Sequence, residues 1–277
     1  MAFNLGDQAV TQLKRLLRWH KVLLWVSLLI VGVPGAEAFS PYENYLLSGR
    51  DTHVGLIAQV KPGMEKQLAD ALRELSSAES ERALAKAGIK DLAAFERELG
   101  GGTWVFVYFT YAGGLDYLGA AAAFERASPA TAALAQYITP HSRATGYGRH
   151  WLQMEWINYI RGKNIEGPPK SKLSMVTMVK PEKEAEYRTL HQTVWPGVVD
   201  QMARGNSRNF SIFLVELDDA LYEFFYVEYV GADSDHDDAM NQADPINRRW
   251  WKHTDACQTP LPGTDSNWSK MEAIVAN

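Results

Sequence analysis

The sequence predicts an α+β fold made of two tandem ferredoxin-like repeats, each with the element order β-α-β-β-α-β. The prediction depends on repeated motifs, on segments rich in aromatic and β-branched residues that indicate strands, and on helical segments between them. Three motifs recur in the same order at offsets of 119, 118 and 117: Val60-Lys61-Pro62 as Val179-Lys180-Pro181, Val107–Tyr111 as Phe225–Tyr229, and Trp151–Ile157 as Trp268–Ile274. The last pair shares W-x-x-M-E-x-I. A period this long is beyond that of a solenoid, so we infer a duplicated domain.

The composition is that of a folded chain with an unusual share of aromatic residues. The 277 residues are 46% hydrophobic and 22% charged, which excludes an intrinsically disordered chain. The net charge of −5 argues against nucleic acid as a partner. The single cysteine, Cys257, excludes an intrachain disulfide framework, and we expect a buried, inert thiol. The sequence contains 9 Trp and 12 Tyr residues, and an account of the fold and the function has to explain this surplus of aromatic side chains.

The first 38 residues have the pattern of an export signal. A basic segment from Lys14 to Lys21 precedes the apolar run Val22–Val33, and Pro34-Gly35 then leads to the small-x-small sequence Ala36-Glu37-Ala38. The apolar run is shorter than the roughly 20 residues of a membrane-spanning helix. We predict a signal peptide over residues 1–38, a periplasmic or secreted chain, and no stable membrane insertion after cleavage. A buried amphipathic helix or an uncleaved N-terminal membrane anchor is the alternative.

The rest of the chain divides at a polar linker. We predict an N-terminal extension at 39–51, a degenerate first repeat at 52–161, a linker at 162–171 and a second repeat at 172–277. The elements predicted in the second repeat are a strand (Leu173–Val179), a helix from Pro181 to the break at Trp195-Pro196-Gly197, strands on either side of Asp218-Asp219-Ala220 (Asn209–Leu217 and Leu221–Val230), a helical region divided at Pro245 (Asp237–Ala256) and a closing strand (Trp268–Val275).

One segment of the first repeat has conflicting signals. Lys90–Leu99 (KDLAAFEREL) has helical propensity, yet the repeat places it on the second strand, with Gly100-Gly101-Gly102 as the hairpin turn. Because single-sequence propensity is weak beside a long-range match, we predict a strand.

Three motifs of the second repeat have a recognisable spacing. They are Y-x3-H-x3-W-P within Glu186–Pro196, the segment Asn209–Leu214, and W-W-K within Arg249–Lys252. Together, over roughly Leu173–Val275, they resemble the L-rhamnose mutarotase family. The resemblance implies a dimeric α/β barrel, here an intrachain pseudo-dimer that could stay monomeric. It further implies a free sugar as the partner, and neither a metal nor an organic cofactor.

The resemblance also implies an activity, the interconversion of the α and β anomers of L-rhamnose or a related 6-deoxy sugar. The implied catalytic residues are His191 and Tyr187, and the implied substrate-binding residues are Asn209, Trp250 and Trp251. Mutarotation removes one proton from the anomeric hydroxyl and delivers one to the ring oxygen, and histidine titrates in the pH range that suits both transfers. Tyr187, four residues before His191, shares its helix face. Indole faces suit stacking on the sugar, and an asparagine can both donate and accept.

Each of these residues has a structural alternative. His191 could be a satisfied core histidine and Tyr187 a core aromatic. Adjacent helical residues point about 100° apart, so only one of Trp250 and Trp251 should face the sugar. Trp195 is interpreted as a structural residue at a helix break.

The acidic run Asp233–Asp238 invites a metal site around His236. It lacks the glycine and the terminal glutamate of an EF-hand, so we interpret it as the acidic start of a helix and predict no metal site.

The first repeat lacks every one of the implied site residues. At an offset of 118–119, Tyr187 and His191 correspond to Leu68 and Leu72, Trp250 and Trp251 to Ala132 and Ala133, and Asn209 to Asp91. We therefore expect one working site, with the first repeat kept as a scaffold.

Two other classes of function stay open at this point. Dimeric α/β barrels also include haem-binding enzymes and cofactor-independent monooxygenases. A chain that has lost one site could also be a non-catalytic sugar-binding module. The fold alone does not choose among these.

Overall fold

The computed structural model describes residues 51–113 and 117–276. The predicted signal peptide and the predicted extension up to residue 50 lie outside the described residues. Among the residues that are described, no helix is both long enough and apolar enough to cross a membrane.

The first repeat follows the predicted element order and adds several short elements. In chain order these are β1 (Thr52–Val60), α1 (Glu65–Arg73), a 3-10 turn (Glu74–Ser76), α2 (Ala78–Lys86), β2 (Ile89–Leu99), β3 (Gly102–Tyr111), α3 (Tyr117–Arg126), α4 (Pro129–Ala133), a 3-10 turn (Leu134–Tyr137), β4 (Ile138–Thr139), α5 (Ser142–Thr145), β5 (Leu152–Gln153) and β6 (Glu155–Gly162).

The second repeat follows the same order. Its elements are β7 (Ser171–Val179), a 3-10 turn (Pro181–Lys183), α6 (Glu184–Gln192), α7 (Pro196–Arg204), β8 (Ser207–Leu217), β9 (Ala220–Tyr229), α8 (Ser234–Ala243), α9 (Pro245–Cys257), β10 (Gln258–Thr259), β11 (Ser269–Lys270) and β12 (Glu272–Val275). Both predicted proline breaks are confirmed. Pro196 and Pro245 each open a new helix, where a missing N–H leaves no hydrogen bond unmade.

Both predicted hairpins are confirmed, including the one that helical propensity opposed. β2 pairs along β3 around Gly100 and Gly101, whose φ angles are 59° and 85°. β8 and β9 meet at Asp218 and Asp219, with φ angles of 48° and 65°. Positive φ at both central positions gives a turn whose twist matches the paired strands. In KDLAAFEREL, pairing with a neighbouring strand therefore outweighs local propensity.

The described strands form two antiparallel sheets that exchange their last strands. The order is β12-β2-β3-β1-β4 in the first sheet, with β5 also on β1, and β10-β7-β9-β8-β6 in the second, with β11 also on β7. β6 of the first repeat thus pairs with β8 of the second, and β12 of the second pairs with β2 of the first.

The W-x-x-M-E-x-I motif is where the chain crosses from one sheet to the other. The N–H of Met154 donates to a carbonyl of β1 (2.8 Å), whereas Glu155 already pairs with β8. In the same way the N–H of Met271 donates to a carbonyl of β7 (3.0 Å), and Glu272 pairs with β2. The motif recurs because both repeats make the same crossing.

Aromatic side chains fill the space between the two sheets. Tyr108 on β3 stacks on Tyr226 on β9, with ring centroids 3.6 Å apart and planes 14° apart. The ring of Phe106 packs against those of Phe213 and Phe224, with ring centroids 5.7 and 5.6 Å apart. Much of the aromatic surplus is therefore core. The predicted fold, two tandem repeats arranged like a dimeric α/β barrel within one chain, is confirmed.

Candidate active site

His191 lies near the end of α6, in the layer between the helices and the outer face of the second sheet. The residue is only 6% exposed. Its Nδ1 lies 3.0 Å from the carbonyl oxygen of Tyr187. A carbonyl can only accept, so Nδ1 carries the proton and Nε2 is left as the basic nitrogen. Burial lowers the pKa of His191 to about 4, below the near-neutral range expected from the residue type, so the imidazole is neutral at pH 7.

Tyr187 connects His191 to a buried carboxyl. The rings of Tyr187 and His191 have centroids 4.2 Å apart. The Tyr187 hydroxyl is hydrogen-bonded to Oε1 of Glu223, and Nε2 of Gln258 donates to Oε2 at 2.9 Å. Burial raises the pKa of Glu223 to about 8 and holds that of Tyr187 well above its usual value. At neutral pH this cluster therefore contains a neutral base and a neutral carboxylic acid.

Two indoles continue the cluster toward the surface. The ring centroids of Trp250 and His191 are 5.6 Å apart in an edge-to-face arrangement. Those of Trp195 and Trp250 are 5.5 Å apart. Trp195 also contacts the ring of His253 at 5.6 Å. Trp250 is buried whereas Trp251 is half-buried, as the 100° step between adjacent helical residues requires. Trp195 both marks the helix break and forms the outer part of the cluster.

Asn209 does not lie with these residues. It occupies a β-bulge with a φ of 52°, a left-handed conformation that asparagine tolerates, and accepts a hydrogen bond from the Tyr159 hydroxyl at 3.0 Å. Asn158, the neighbour of Tyr159 on β6, instead donates to the carbonyl of His191 at 2.6 Å. Successive strand residues point to opposite faces, so Asn209 and His191 lie on opposite sides of β6.

The surroundings of Asn209 form a separate cavity. Asn209 lines a space of about 480 Å³ together with Lys172, Arg208 and Glu228 of the second repeat and Asp91 of the first. The structure thus joins His191, Tyr187 and Trp250 of the five implied residues, and it puts Asn209 elsewhere.

Several buried amide oxygens lie in the helix–sheet layer that holds His191. Within the described part of the chain, four such oxygens have no hydrogen-bond partner: Asn158 Oδ1, Gln201 Oε1, Asn247 Oδ1 and Gln258 Oε1. Buried acceptors are normally satisfied. Unsatisfied amide oxygens are suited to receive hydroxyl groups, which a sugar has in number.

The first repeat has an apolar core at the places of this polar cluster. By the repeat offset, Leu68 matches Tyr187 and Leu72 matches His191. By strand register, Val105 matches Glu223 and Ile138 matches Gln258. All four apolar side chains are fully buried. Burying a polar group is unfavourable compared with packing an apolar one. Because the same scaffold folds with leucine and valine here, the polar cluster indicates a functional site.

The sequence motifs did not reveal Glu223, Gln258 or Asn158. The sequence did contain a signal for Glu223, because it is a carboxylate on the core-facing side of a strand rich in apolar residues. The matched position of the first repeat is Val105. Gln258 and Asn158 had none, because their roles depend on pairing between distant strands.

The acidic run begins a helix, as the sequence predicts. Asp233 accepts from the N–H of His236 at 3.0 Å and caps α8, and Asp237 accepts from Asn206 and from Tyr229. Over residues 51–113 and 117–276, no group of three or more His, Cys, Asp or Glu side chains is arranged to hold a metal ion.

Fold and site together define a class, a two-sheet protein of the dimeric α/β-barrel type with acid–base groups in one helix–sheet layer. A solved structure from Lactobacillus acidophilus, whose monooxygenase function is a provisional assignment, is similar with a TM-score of 0.50. That likeness covers 81% of this chain and 95% of the other, at 7% identity. At such identity it shows the fold alone.

The second repeat identifies the family. A family model for L-rhamnose mutarotase matches residues 172–275. The L-rhamnose mutarotase of Oceanobacillus iheyensis is 30% identical over 77 residues, which are 28% of this chain and 69% of the relative. That of Bacillus subtilis is 29% identical over 97 residues, 35% of this chain and 84% of the relative. The chain belongs to the L-rhamnose mutarotase family, and the resemblance seen in the motifs is confirmed.

Proposed function

We propose that the protein is an aldose mutarotase that interconverts the α and β anomers of L-rhamnose or a related 6-deoxy sugar at the His191 site. One observation carries the proposal. The half that matches the family buries His191, Tyr187 and Glu223 where the other half of the same scaffold buries leucine and valine. The activity in the names of the relatives supports the same conclusion.

His191 is the proposed general acid/base. Its neutral Nε2 takes the proton of the anomeric hydroxyl O1 while the C1–O5 bond breaks. The electron pair of the O1–H bond becomes the second C1–O1 bond, and the pair of the C1–O5 bond stays on O5, which receives the proton. O1 and O5 are both bonded to C1, so one imidazole can serve both atoms in turn. Rotation about C1–C2 and the reverse transfers close the other anomer. A positioned acid/base contributes about 10²–10⁴-fold.

The aromatic residues are proposed to hold the sugar over the imidazole. The ring planes of Trp250 and His191 are inclined by 77°, and Trp195 lies beyond Trp250, half-buried. Aromatic faces suit the apolar C–H face and the methyl group of a 6-deoxy sugar. Buried amide oxygens of the same layer supply acceptors for hydroxyl groups. Trp251 keeps its predicted binding role as a proposal. Asn209 lies across β6 from His191, so a sugar contact made by Asn209 would belong to its own cavity, and single variants test both roles.

We also propose, from the pattern of residues 1–38 alone, that the chain is exported and acts in the periplasm or outside the cell. Mass spectrometry of the mature N-terminus tests this. A first residue of Phe39 is expected, and a chain that begins at Met1 in the extracytoplasmic fraction would contradict cleavage.

Exchange NMR on a panel of free sugars tests the activity. Saturating one anomeric proton signal of L-rhamnose should transfer saturation to the other anomer faster with the protein than in buffer. L-rhamnose should respond more than a sugar without the C6 methyl. Binding without faster exchange would point to a sugar-binding module. A Soret shift on haem titration, with no effect on the anomers, would point to the haem-dependent alternative.

A further inference from the structure

Glu223 is a buried carboxyl that contacts the site through Tyr187. It is fully buried on β9, between Thr177 of β7 and Leu214 of β8. Its two oxygens contact the Tyr187 hydroxyl and the side-chain amide of Gln258. No ion pair formed by the described residues includes Glu223. It is therefore buried without a cation.

The groups that face Glu223 leave it as the first to ionise above neutral pH. From α6 comes Tyr187, and from the end of α9 comes Cys257; burial raises the pKa of both side chains. Thr177 and Leu214, on the flanking strands, do not titrate. Burial raises the pKa of Glu223 itself to about 8.

The hydrogen bonds decide where the proton of neutral Glu223 lies. The N–H of Gln258 donates to Oε2, so the carboxyl proton belongs on Oε1, which faces the Tyr187 hydroxyl. A carboxylic acid there donates to the phenol oxygen, and the proton of the phenol is then free for another acceptor. An ionised carboxyl can only accept, so it takes the proton of the phenol for itself.

We propose that Glu223 is a positioning residue that sets the direction of the Tyr187 hydrogen bond. Neutral Glu223 leaves the Tyr187 proton for an oxygen of the bound sugar, and ionised Glu223 withdraws it. This inference rests on the proposed mutarotase function. A hydrogen bond from Tyr187 to the ring oxygen stabilises the negative charge that builds there as the C1–O5 bond breaks. Anomer exchange is therefore fastest while Glu223 is protonated.

The test is the pH dependence of anomer exchange in the full chain, with the rate in buffer subtracted at each pH. The wild-type rate should fall about tenfold between about pH 7 and about pH 9, following the neutral fraction of Glu223. Glu223→Gln places an amide N–H donor at this position at every pH, so its rate should not fall. Tyr187→Phe should exchange anomers more slowly than the wild type, and its rate should not change between about pH 7 and about pH 9. The reason is that Glu223 then has no phenol hydroxyl to orient.

Glu228→Gln is the matched control. Glu228 is a second buried glutamate on β9, and it also accepts from a tyrosine hydroxyl, that of Tyr226 at 2.9 Å. It pairs with Arg208 instead of contacting the His191 cluster. Glu228→Gln should keep the alkaline fall of the wild type. The inference would be overturned if the exchange rate of Glu228→Gln did not fall at alkaline pH. It would also be overturned if the exchange rate of Glu223→Gln still fell there.

A second readout needs no sugar and separates this inference from the proposed function. The ring NMR signals of His191 should move near pH 8 in the wild type, as Glu223 ionises behind Tyr187, and should stay constant in Glu223→Gln. Absence of this step in the wild type would overturn the role of Glu223, whatever the activity. A clear step in a protein that does not accelerate anomer exchange would instead overturn the mutarotase function alone.

Discussion

Replacing Glu223 by glutamine should change how the stability of the protein depends on pH. Glu223 has a pKa of about 8 in the folded protein, against an ordinary value of 4.5. Between these two values the unfolded chain has lost the proton and the folded chain has kept it. The contribution of Glu223 to stability is therefore complete below about pH 4.5 and is lost as the pH rises to about 8.

The size of the effect follows from the same two values. One pKa unit corresponds to about 1.4 kcal/mol, so the free energy of unfolding should fall by about that amount per pH unit, and by roughly 4–5 kcal/mol over the whole interval. That is a large share of the stability of an ordinary domain, about 5–15 kcal/mol. Glutamine keeps the shape and the hydrogen-bonding capacity but does not titrate. The difference between the two proteins should be small near pH 5 and several kcal/mol in favour of Glu223→Gln near pH 8.

Urea unfolding of both proteins between about pH 5 and about pH 9 measures this difference. The lowered pKa values of His191 and His53, about 4 and about 3, act in the opposite direction below pH 6.5. They are present in both proteins and cancel in the difference. Glu216→Gln, an exposed position on β8, controls for the change of charge and should run parallel to the wild type. Parallel curves for Glu223→Gln would refute the buried neutral carboxyl.

Substitutions at three further positions separate the roles of other residues. Asn209→Gly and Asn209→Ala both remove the acceptor of the Tyr159 hydroxyl, and Asn209→Ala should be about 1 kcal/mol less stable than Asn209→Gly because of the positive φ; a large loss of sugar affinity in both would favour the binding role. Trp250→Phe should raise the KM of anomer exchange about threefold to tenfold and leave the fold intact by circular dichroism, and an unchanged KM would remove Trp250 from the sugar site. Leu72→Ala should lose about 2–5 kcal/mol of stability through a cavity in the first repeat while the exchange rate of the folded protein stays unchanged. A matching loss of rate would place chemistry in the first repeat.

The sequence predicted the fold well because the duplication supplied long-range information. Comparing two copies of one template corrected the helical propensity of Lys90–Leu99, since both copies have to form the same hairpin. The strand exchange was not predictable in this way. The W-x-x-M-E-x-I motif is conspicuous as a repeat, but which sheet each end pairs with depends on contacts between residues far apart in the chain.

The site was predicted in part, and the part follows from helix geometry. Tyr187 and His191 lie four residues apart on one helix, so their contact could be expected from spacing. Glu223 is 36 residues from its tyrosine partner, and only the packing of α6 on β9 brings the two together. Asn209 shows the opposite case. Its residue type suits a sugar, but a bulge in β8 turns it to the other side of the sheet.

The most direct test of the single-site mutarotase is the rate of L-rhamnose anomer exchange with His191→Ala, measured by saturation transfer and compared with Leu72→Ala. Leu72 is the matched position of the first repeat, so comparing the two variants shows which repeat contains the catalytic residue. We expect His191→Ala to return the exchange to the rate in buffer and Leu72→Ala to keep the wild-type rate. Appreciable acceleration by folded His191→Ala would contradict His191 as the acid/base and the restriction of activity to one repeat.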